Sequence, residues 1–416
     1  MDNFLLLTSV IFALIVIISF FNEKVTHLTY EISLLLFSVL SGCVITGIYA
    51  GINNMTVRKL LDGIQIFNLE GFLVEGVLCF MLFAGSRNMK VKAFKENGRR
   101  ITVLAFVCTL LGALFYGGLF YLICLALHIP FTIPMCMMFG SIVAPTDPIA
   151  ATSILKKFGL PEKTGFLMEA ESLLNDGIGV ALFVCFSGMV AGNGGSGFFA
   201  VMLREIIGAV IIGFVVCRIC FEFFIRTSDK YRKVFVSLLM VSLSYCLCER
   251  LGCSGAISCV VCGVSFSAFR DKAEKKGKLD GLEVFDSFWE ITDILLNSVL
   301  YVMLGLTFVR ILQMPMIVIL SLVSIVLNLV CRYSSVFIGT FMMNPLPDGF
   351  GKKNFTALFT WGALRGGLSI ALAMSTASVI PSDLYHIIIG CSYAIVLFTT
   401  VVQGLSMKKV YKHLSS

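Results

Sequence analysis

Residues Glu171-Ser172-Leu173-Leu174-Asn175-Asp176 put two carboxylates, a hydroxyl and an amide into an otherwise apolar stretch. Leu167-Met168-Glu169-Ala170 precede them, and Gly177 to Phe186 follow as a run long enough to continue a membrane helix. On a helix, Glu171 and Asn175 are i and i+4, and Ser172 and Asp176 form the adjacent i, i+4 pair. The four polar groups therefore share one narrow stripe. An ionisable group at bilayer depth costs roughly 2.5–3.5 kcal/mol, and such groups mark ion paths or proton relays. Hard cations select carboxylate, hydroxyl, carbonyl and water oxygens, whereas soft ligands are absent from this stripe. The spacing predicts a site of Asp176, Ser172 and Glu171, completed by a carbonyl oxygen near Thr146 and by water, with Asp147 arriving from a second segment. Such a site suits a small dehydrated alkali cation. Burial disfavours the charged form of a carboxyl, so Asp176 is expected to hold a proton near neutral pH and to exchange it for a cation.

The elements that must carry this stripe are membrane helices. The 416 residues are 58% hydrophobic and 14% charged, with a mean hydropathy of +0.94, outside the soluble globular range. Thirteen apolar runs can span a hydrocarbon core of ~30 Å. They lie near 4–21, 31–51, 71–86, 101–127, 131–155, 164–191, 199–225, 233–250, 254–269, 286–309, 315–342, 355–380 and 384–407. The first is read as a span rather than a signal peptide, because Met1-Asp2-Asn3 is not cationic and no cleavage site follows. With thirteen spans, most of the 32 lysines and arginines fall in the gaps on the side of the C-terminus. Positive charge stays cytoplasmic, which predicts an outside N-terminus and an inside C-terminus in a multi-pass cell-membrane protein. The same rule explains the net charge of +7 without a nucleic-acid partner.

Two spans are interrupted, and they stand seven apart. The fifth carries Ala144-Pro145-Thr146-Asp147-Pro148, where two prolines remove backbone donors and disfavour helix before them. The twelfth carries Gly362-Ala363-Leu364-Arg365-Gly366-Gly367 around a single cation. If spans 1–6 and 8–13 are repeats joined by the seventh, the second is inverted, and paired broken helices mark a secondary transporter's binding site. Irregular backbone must be buried or line a watery cavity, so both breaks are expected to face protein.

Most other polar features are read as structural. The fifteen cysteines lie mainly in apolar runs, and the pairs Cys217/Cys220 and Cys259/Cys262 lack His or acidic co-ligands. His27, His128, His386 and His413 are scattered. Arg204 and Arg218 sit near the ends of the seventh span, where they can snorkel. The glycine loop at 192–197 reads as a linker, since no Lys-Ser/Thr follows it as in a phosphate cradle. Glu169 is assigned no role, and no cofactor or enzymatic centre is expected.

Together, Ala144-Pro145-Thr146-Asp147-Pro148, Glu171 to Gly177 and Gly362 to Gly367, with Arg332-Tyr333-Ser334-Ser335-Val336, resemble the monovalent cation/proton antiporters, in particular the sodium/proton exchangers with an Asn-Asp motif. The resemblance covers essentially the whole chain. It implies an all-α fold of two inverted six-helix repeats with crossed broken helices, in a homodimer embedded in the lipid bilayer. It also implies a dimerisation scaffold (1–100 and 226–310), a mobile core (101–191 and 311–408) and a linker helix (192–225). In such proteins the Asp matching Asp176 binds the ion, the Glu matching Glu171 pairs with the Arg matching Arg365, and the Thr-Asp pair matching Thr146 and Asp147 sits at the helix crossing. Asn175 stands where electrogenic relatives carry a second Asp, which implies electroneutral 1:1 exchange of Na+, Li+ or K+ for H+. The chain stops soon after the last span, so regulation through the long tail of animal exchangers is not expected.

Some roles stay open at this level. Glu171 either ligates the cation or only pairs with Arg365. Arg332 neutralises either the Asp147 region or a helix C-terminal end. A cation channel or a sodium-coupled symporter on the same fold is the alternative activity.

Overall fold

Residues 2–51, 71, 76–147, 151–152, 155–156, 158–192, 197–277, 279, 282–308 and 315–415 are described by a computed structural model. Among them the regular structure is helical, as a chain without water around its backbone requires, with one isolated antiparallel bridge between Asp147 and Leu364. Eight helices among the described residues are long and apolar enough to cross a membrane. Pro148, the loop residues 193–196 and the basic positions Arg58, Lys59, Lys278 and Arg310 lie outside the described residues, as does most of 71–77, where the third span was expected to begin.

The chain runs through α1 (Asp2–Phe21), α2 (Tyr30–Gly51), α3 (Leu78–Ser86), α4 (Val91–Thr102), α5 (Thr109–Ala126) and α6 (Ile133–Val143). It continues through α7 (Glu162–Val190), α8 (Phe198–Arg226), α9 (Lys230–Arg250), α10 (Gly255–Glu274) and α11 (Glu283–Phe308). It ends with α12 (Pro315–Met342), α13 (Lys352–Trp361), α14 (Gly367–Ser375), α15 (Ser382–Leu397) and α16 (Gly404–Ser415). Local chemistry sets several of the starts. Asp229 accepts from the Tyr231 and Arg232 amides ahead of α9, and Ser254 accepts from the Ile257 amide ahead of α10.

Two differences from the sequence reading have physical causes. The basic stretch before the fourth span is itself helical, because α4 is amphipathic. Asn97 and Ile101 are buried, while Lys92, Lys95, Glu96 and Arg99 face out. It continues through a π-helical segment, Val103–Cys108, into α5 as one rod, Val91–Ala126. The ninth span forms as α10 but is not among the eight long apolar helices. Its Ser258, Cys259, Cys262, Gly263 and Ser267 are buried against neighbouring helices. Small residues that let backbones approach drive helix association where lipid removes the hydrophobic force.

An aromatic cluster of Phe83, Phe224, Phe266, Phe285 and Trp289 joins α3, α8, α10 and α11. The Trp289 indole N–H donates to Ser237 Oγ at 3.0 Å, so its polar edge is satisfied inside the cluster. A second cluster binds α5 to α6 through Tyr116, Phe120 and Phe139. These packings hold the helices that deliver the site.

Both expected breaks are present. α6 stops at Val143 and the chain runs on without helix through Asp147, while α13 and α14 are separated by Gly362 to Gly366. With 11, 10 and 9 residues, none of the half-helices alone crosses a bilayer at 1.5 Å per residue. The two breaks meet where the Asp147 amide donates to the Leu364 carbonyl at 2.8 Å.

Candidate functional site

The site is assembled where the polar stripe of α7 meets the first break. Asn175, fully buried, clamps Thr146 from two sides. Its Nδ2 donates to Thr146 Oγ1 at 2.8 Å, and its Oδ1 accepts from the Thr146 amide at 3.1 Å. Ser172 Oγ donates to the Thr146 carbonyl. The i, i+3 spacing of Ser172 and Asn175 on α7 thus fixes the non-helical segment at Thr146, whose flanking prolines bring no backbone donors. Gly179 on α7 makes this approach possible, because a Cβ there would enter the Pro145 ring.

The end of α6 needs donors, since its last carbonyls have no following amides. Arg365 supplies them from the second break. Its Nη1 donates to the Ala144 and Pro145 carbonyls at 2.6 Å each, and Nη2 donates to Asn328 Oδ1 at 2.9 Å. The Arg365 backbone is held in turn by two threonines: its amide donates to Thr399 Oγ1 at 3.0 Å, and Thr400 Oγ1 donates to its carbonyl at 3.3 Å. Both threonines belong to the π-helical segment Phe398–Gln403, which links α15 to α16; single turns of this kind recur at functional sites.

Glu171 does not pair with Arg365. Its carboxylate meets Arg332 of α12 at 2.6 Å, with side-chain exposures of 3% and 5%. The Arg332 Nη2 and Nε groups also donate to the Phe359 carbonyl in the last turn of α13, at 3.3 and 3.4 Å. Arg332 therefore serves a helix C-terminal end, one of its two expected roles, and not the Asp147 region. Arg365 is already occupied by the carbonyls of the first break, whereas the long α12 places Arg332 beside Glu171.

Asp176 and Asp147 face a different environment. Both line a cavity of about 510 Å³ together with Thr146 and Ser172. Asp176 is partly buried, and among the described residues no hydrogen bond or ion pair takes its carboxylate. Tyr301 of α11 donates its hydroxyl to Asp147 Oδ2 at 2.8 Å. Gly366 is needed beside it, because a Cβ there would lie 3.0 Å from the same oxygen. Basic residues reach the cavity at its exposed rim, where Lys90 pairs with Glu162 at 2.8 Å and Lys156 with Glu169 at 2.6 Å. The proposed oxygens of Asp176, Ser172 and Thr146 are thus brought together, and Glu171 is diverted into a buried ion pair behind them.

Four contributors were not singled out from sequence: Tyr301, Asn328, the Thr399–Thr400 pair, and Asp293, which lines the same cavity. A signal existed for the α11 residues, since Asp293, Asn297 and Tyr301 recur at i, i+4 and i+8 in an apolar helix. Asn328 and the threonines carry no such pattern.

The family profile described as sodium/hydrogen exchanger, transmembrane, matches residues 4–413. The chain is 33% identical over 387 residues to the Na(+)/H(+) antiporter NhaH of Halobacillus aidingensis, covering 89% of this chain and 90% of that protein. It is 26% identical over 426 residues to the Na(+)/H(+) antiporter NhaP of Pseudomonas aeruginosa, covering 96% and 95%. Its fold is similar to the structure of the sodium proton antiporter MjNhaP1 from Methanocaldococcus jannaschii at pH 8, with a TM-score of 0.78, 18% identity and both chains covered in full (100%). A polytopic helical chain with two broken helices and a free carboxylate at their meeting point, matched along nearly its whole length, belongs to the sodium/hydrogen exchanger family, whose members are transporters rather than enzymes.

Proposed function

We propose that the protein exchanges Na+, or Li+ or K+, for H+ across the cell membrane by competition at Asp176. The carrying observation is a carboxylate that faces a cavity with no committed partner among the described residues, beside Ser172 Oγ and Thr146. A proton or an alkali cation can each neutralise it, but not both at once. Asp147 is tied to Tyr301 and Glu171 to Arg332, so of the carboxylates on α7 and the first break Asp176 is the one left without a partner among the described residues. Transferring the empty, charged site through a low-dielectric region costs several kcal/mol, whereas either loaded form is neutral. That difference couples the two fluxes and makes the exchange electroneutral, one cation for one proton.

The same reading includes thirteen spans in two inverted six-helix repeats, with the core (101–191 and 311–408) moving against the scaffold (1–100 and 226–310) across the linker 192–225. It includes a homodimer, an outside N-terminus and a cytoplasmic C-terminus. The distribution of lysine and arginine supports that orientation, and the pairing of two broken helices supports the repeat. No resident cofactor takes part; the cation is cargo. The cavity opens beside Lys90 and Lys156, on the face this orientation makes cytoplasmic.

Proteoliposomes carrying a pH gradient provide the test. Addition of sodium should dissipate the gradient with wild-type protein, and Asp176→Asn should reduce the rate at least a hundredfold while reconstituting normally. Retained exchange in that variant would remove the assignment.

A further inference from the structure

We propose that Tyr301 of α11 latches the scaffold to the core, through a hydrogen bond to Asp147 that is made while the site faces Lys90 and Lys156 and broken each time the core carries Asp176 to the other face. The proposal deepens the exchange reading and rests on it, including its division into scaffold and core.

Each end of the bond is held firmly by its own side. Tyr301 lies between two contacts of α11 with α2, another scaffold helix. Before it, the Ser298 and Tyr30 hydroxyls share a hydrogen bond at 2.9 Å. After it, Gly305 lies so near α2 that a Cβ would come within 2.4 Å of the Ser38 Cβ. Asp147 is fixed to the core instead. Its amide donates to the Leu364 carbonyl at 2.8 Å, and the bare Gly366 leaves room for its carboxylate. Across the boundary, the Tyr301 hydroxyl donates to Asp147 Oδ2 at 2.8 Å.

The neighbouring residue supplies an independent observation. Leu300 packs on Gly367 at the start of α14, where a Cβ would lie 2.4 Å from each of its methyl carbons. One turn of α11 therefore touches both breaks at once. A hydrogen bond does not survive beyond about 3.6 Å, so even a small displacement of the core breaks the Tyr301 contact. Tyr301 is only 2% exposed, and a buried hydroxyl that loses its acceptor costs free energy. The conformation that keeps the bond is favoured accordingly. Lys90 and Glu162 also bridge scaffold and core, but their side chains are 75% and 85% exposed, and such pairs contribute little. Leu173 against Gly85 and Ile257 against Gly177 are apolar contacts without directional demands, and they can slide. Tyr301 is thus a positioning residue that acts in one conformation of the cycle.

Sodium exchange by the full-length protein, measured in everted and in right-side-out membrane vesicles, separates a latch from a fixed support. Tyr301→Phe keeps the buried ring and removes only the bond. Apparent affinity at each face scales with the population of the conformation open to that face. The sodium KM at the Lys90 and Lys156 face should therefore rise about tenfold relative to the KM at the opposite face, as for one hydrogen bond to a charged group. A fixed support of the cation site would change both KM values equally, and equal changes, or none, would overturn the latch. The second measurement uses Leu300→Cys together with Gly367→Cys. Oxidising that pair with copper phenanthroline should stop exchange, and dithiothreitol should restore it. Exchange persisting in protein that mass spectrometry shows to be cross-linked between positions 300 and 367 would also overturn the latch. Should the double variant fail to reconstitute, the KM ratio decides alone. Exchange surviving in Asp176→Asn would instead defeat the exchange reading.

Discussion

Glu171 and Arg332 meet at 2.6 Å with both side chains nearly excluded from solvent, and the energetics of such pairs are asymmetric. Forming one scarcely repays the desolvation of two charges, but removing one partner strands the other in a low-dielectric interior at a cost of about 3–5 kcal/mol. Arg332→Met should therefore destabilise the protein by about that amount, read as a lowered thermal midpoint of the purified chain. Adding Glu171→Gln to it should recover a large part of the loss, because the stranded charge is gone. If the double variant were no more stable than Arg332→Met, the pair would not be the reason for either residue. Asp176 behaves oppositely in this scheme. It carries no hydrogen bond or ion pair among the described residues, so Asp176→Asn is expected to spare stability while removing exchange. The separation between a braced carboxylate and a free one, five residues apart on one helix, is what divides scaffold from site.

At the scale of the elements, the site depends on how closely α7 can approach the break after α6. The Asn175 and Ser172 contacts to Thr146 require Pro145 to lie against the bare Cα of Gly179. Gly179→Ala should push the break away, cost about 1–3 kcal/mol from overpacking and reduce exchange at least tenfold. Thermal unfolding and proteoliposome flux would check both parts, and a variant with normal flux would contradict the argument. The breaks themselves were legible in the sequence, because proline and glycine act on their own backbone wherever the chain goes. The stripe of Ser172, Asn175 and Asp176 was legible too, since spacing within one helix fixes a shared face. The partner of Glu171 was not. Whether Arg332 or Arg365 reaches it depends on the rotation of α12 and on what the second break does with its guanidinium, and neither is encoded locally. The amphipathic α4 is illegible for a related reason: its run of charges is also what a loop carries, and only packing against neighbours buries Asn97 and Ile101. The capping of Arg365 by Thr399 and Thr400 rests on a π-helical turn that no residue pattern announces.

The whole molecule sets the charge that moves. The cavity collects the carboxylates of Asp147, Asp176 and Asp293, while Lys90 and Lys156 are paired at its rim. Glu171, Arg332 and Arg365 stay locked into the helices behind it by 2.6–2.9 Å contacts. A core that carries these groups together carries the ion pair as a neutral unit, and Arg365 travels with the carbonyls it caps. In the proposed exchange the charge that differs between the two half-cycles is only that on Asp176, cancelled by H+ in one direction and by the cation in the other. Asn175 supports that proposal: it spends its amide on Thr146 and offers no second titrating group. Moving one elementary charge through the full potential is worth about 2.3 kcal/mol per 100 mV, so even one uncompensated charge would make the rate steeply voltage-dependent. Tracer sodium flux in proteoliposomes, with the potential clamped by potassium and valinomycin at fixed sodium and pH gradients, should therefore change less than twofold between 0 and about −100 mV. A strong dependence, or charge translocation measured on a supported membrane, would mean that a second group titrates along with Asp176. Asp293 and Asp147, as the other carboxylates of the cavity, would be the first to examine by substitution to Asn.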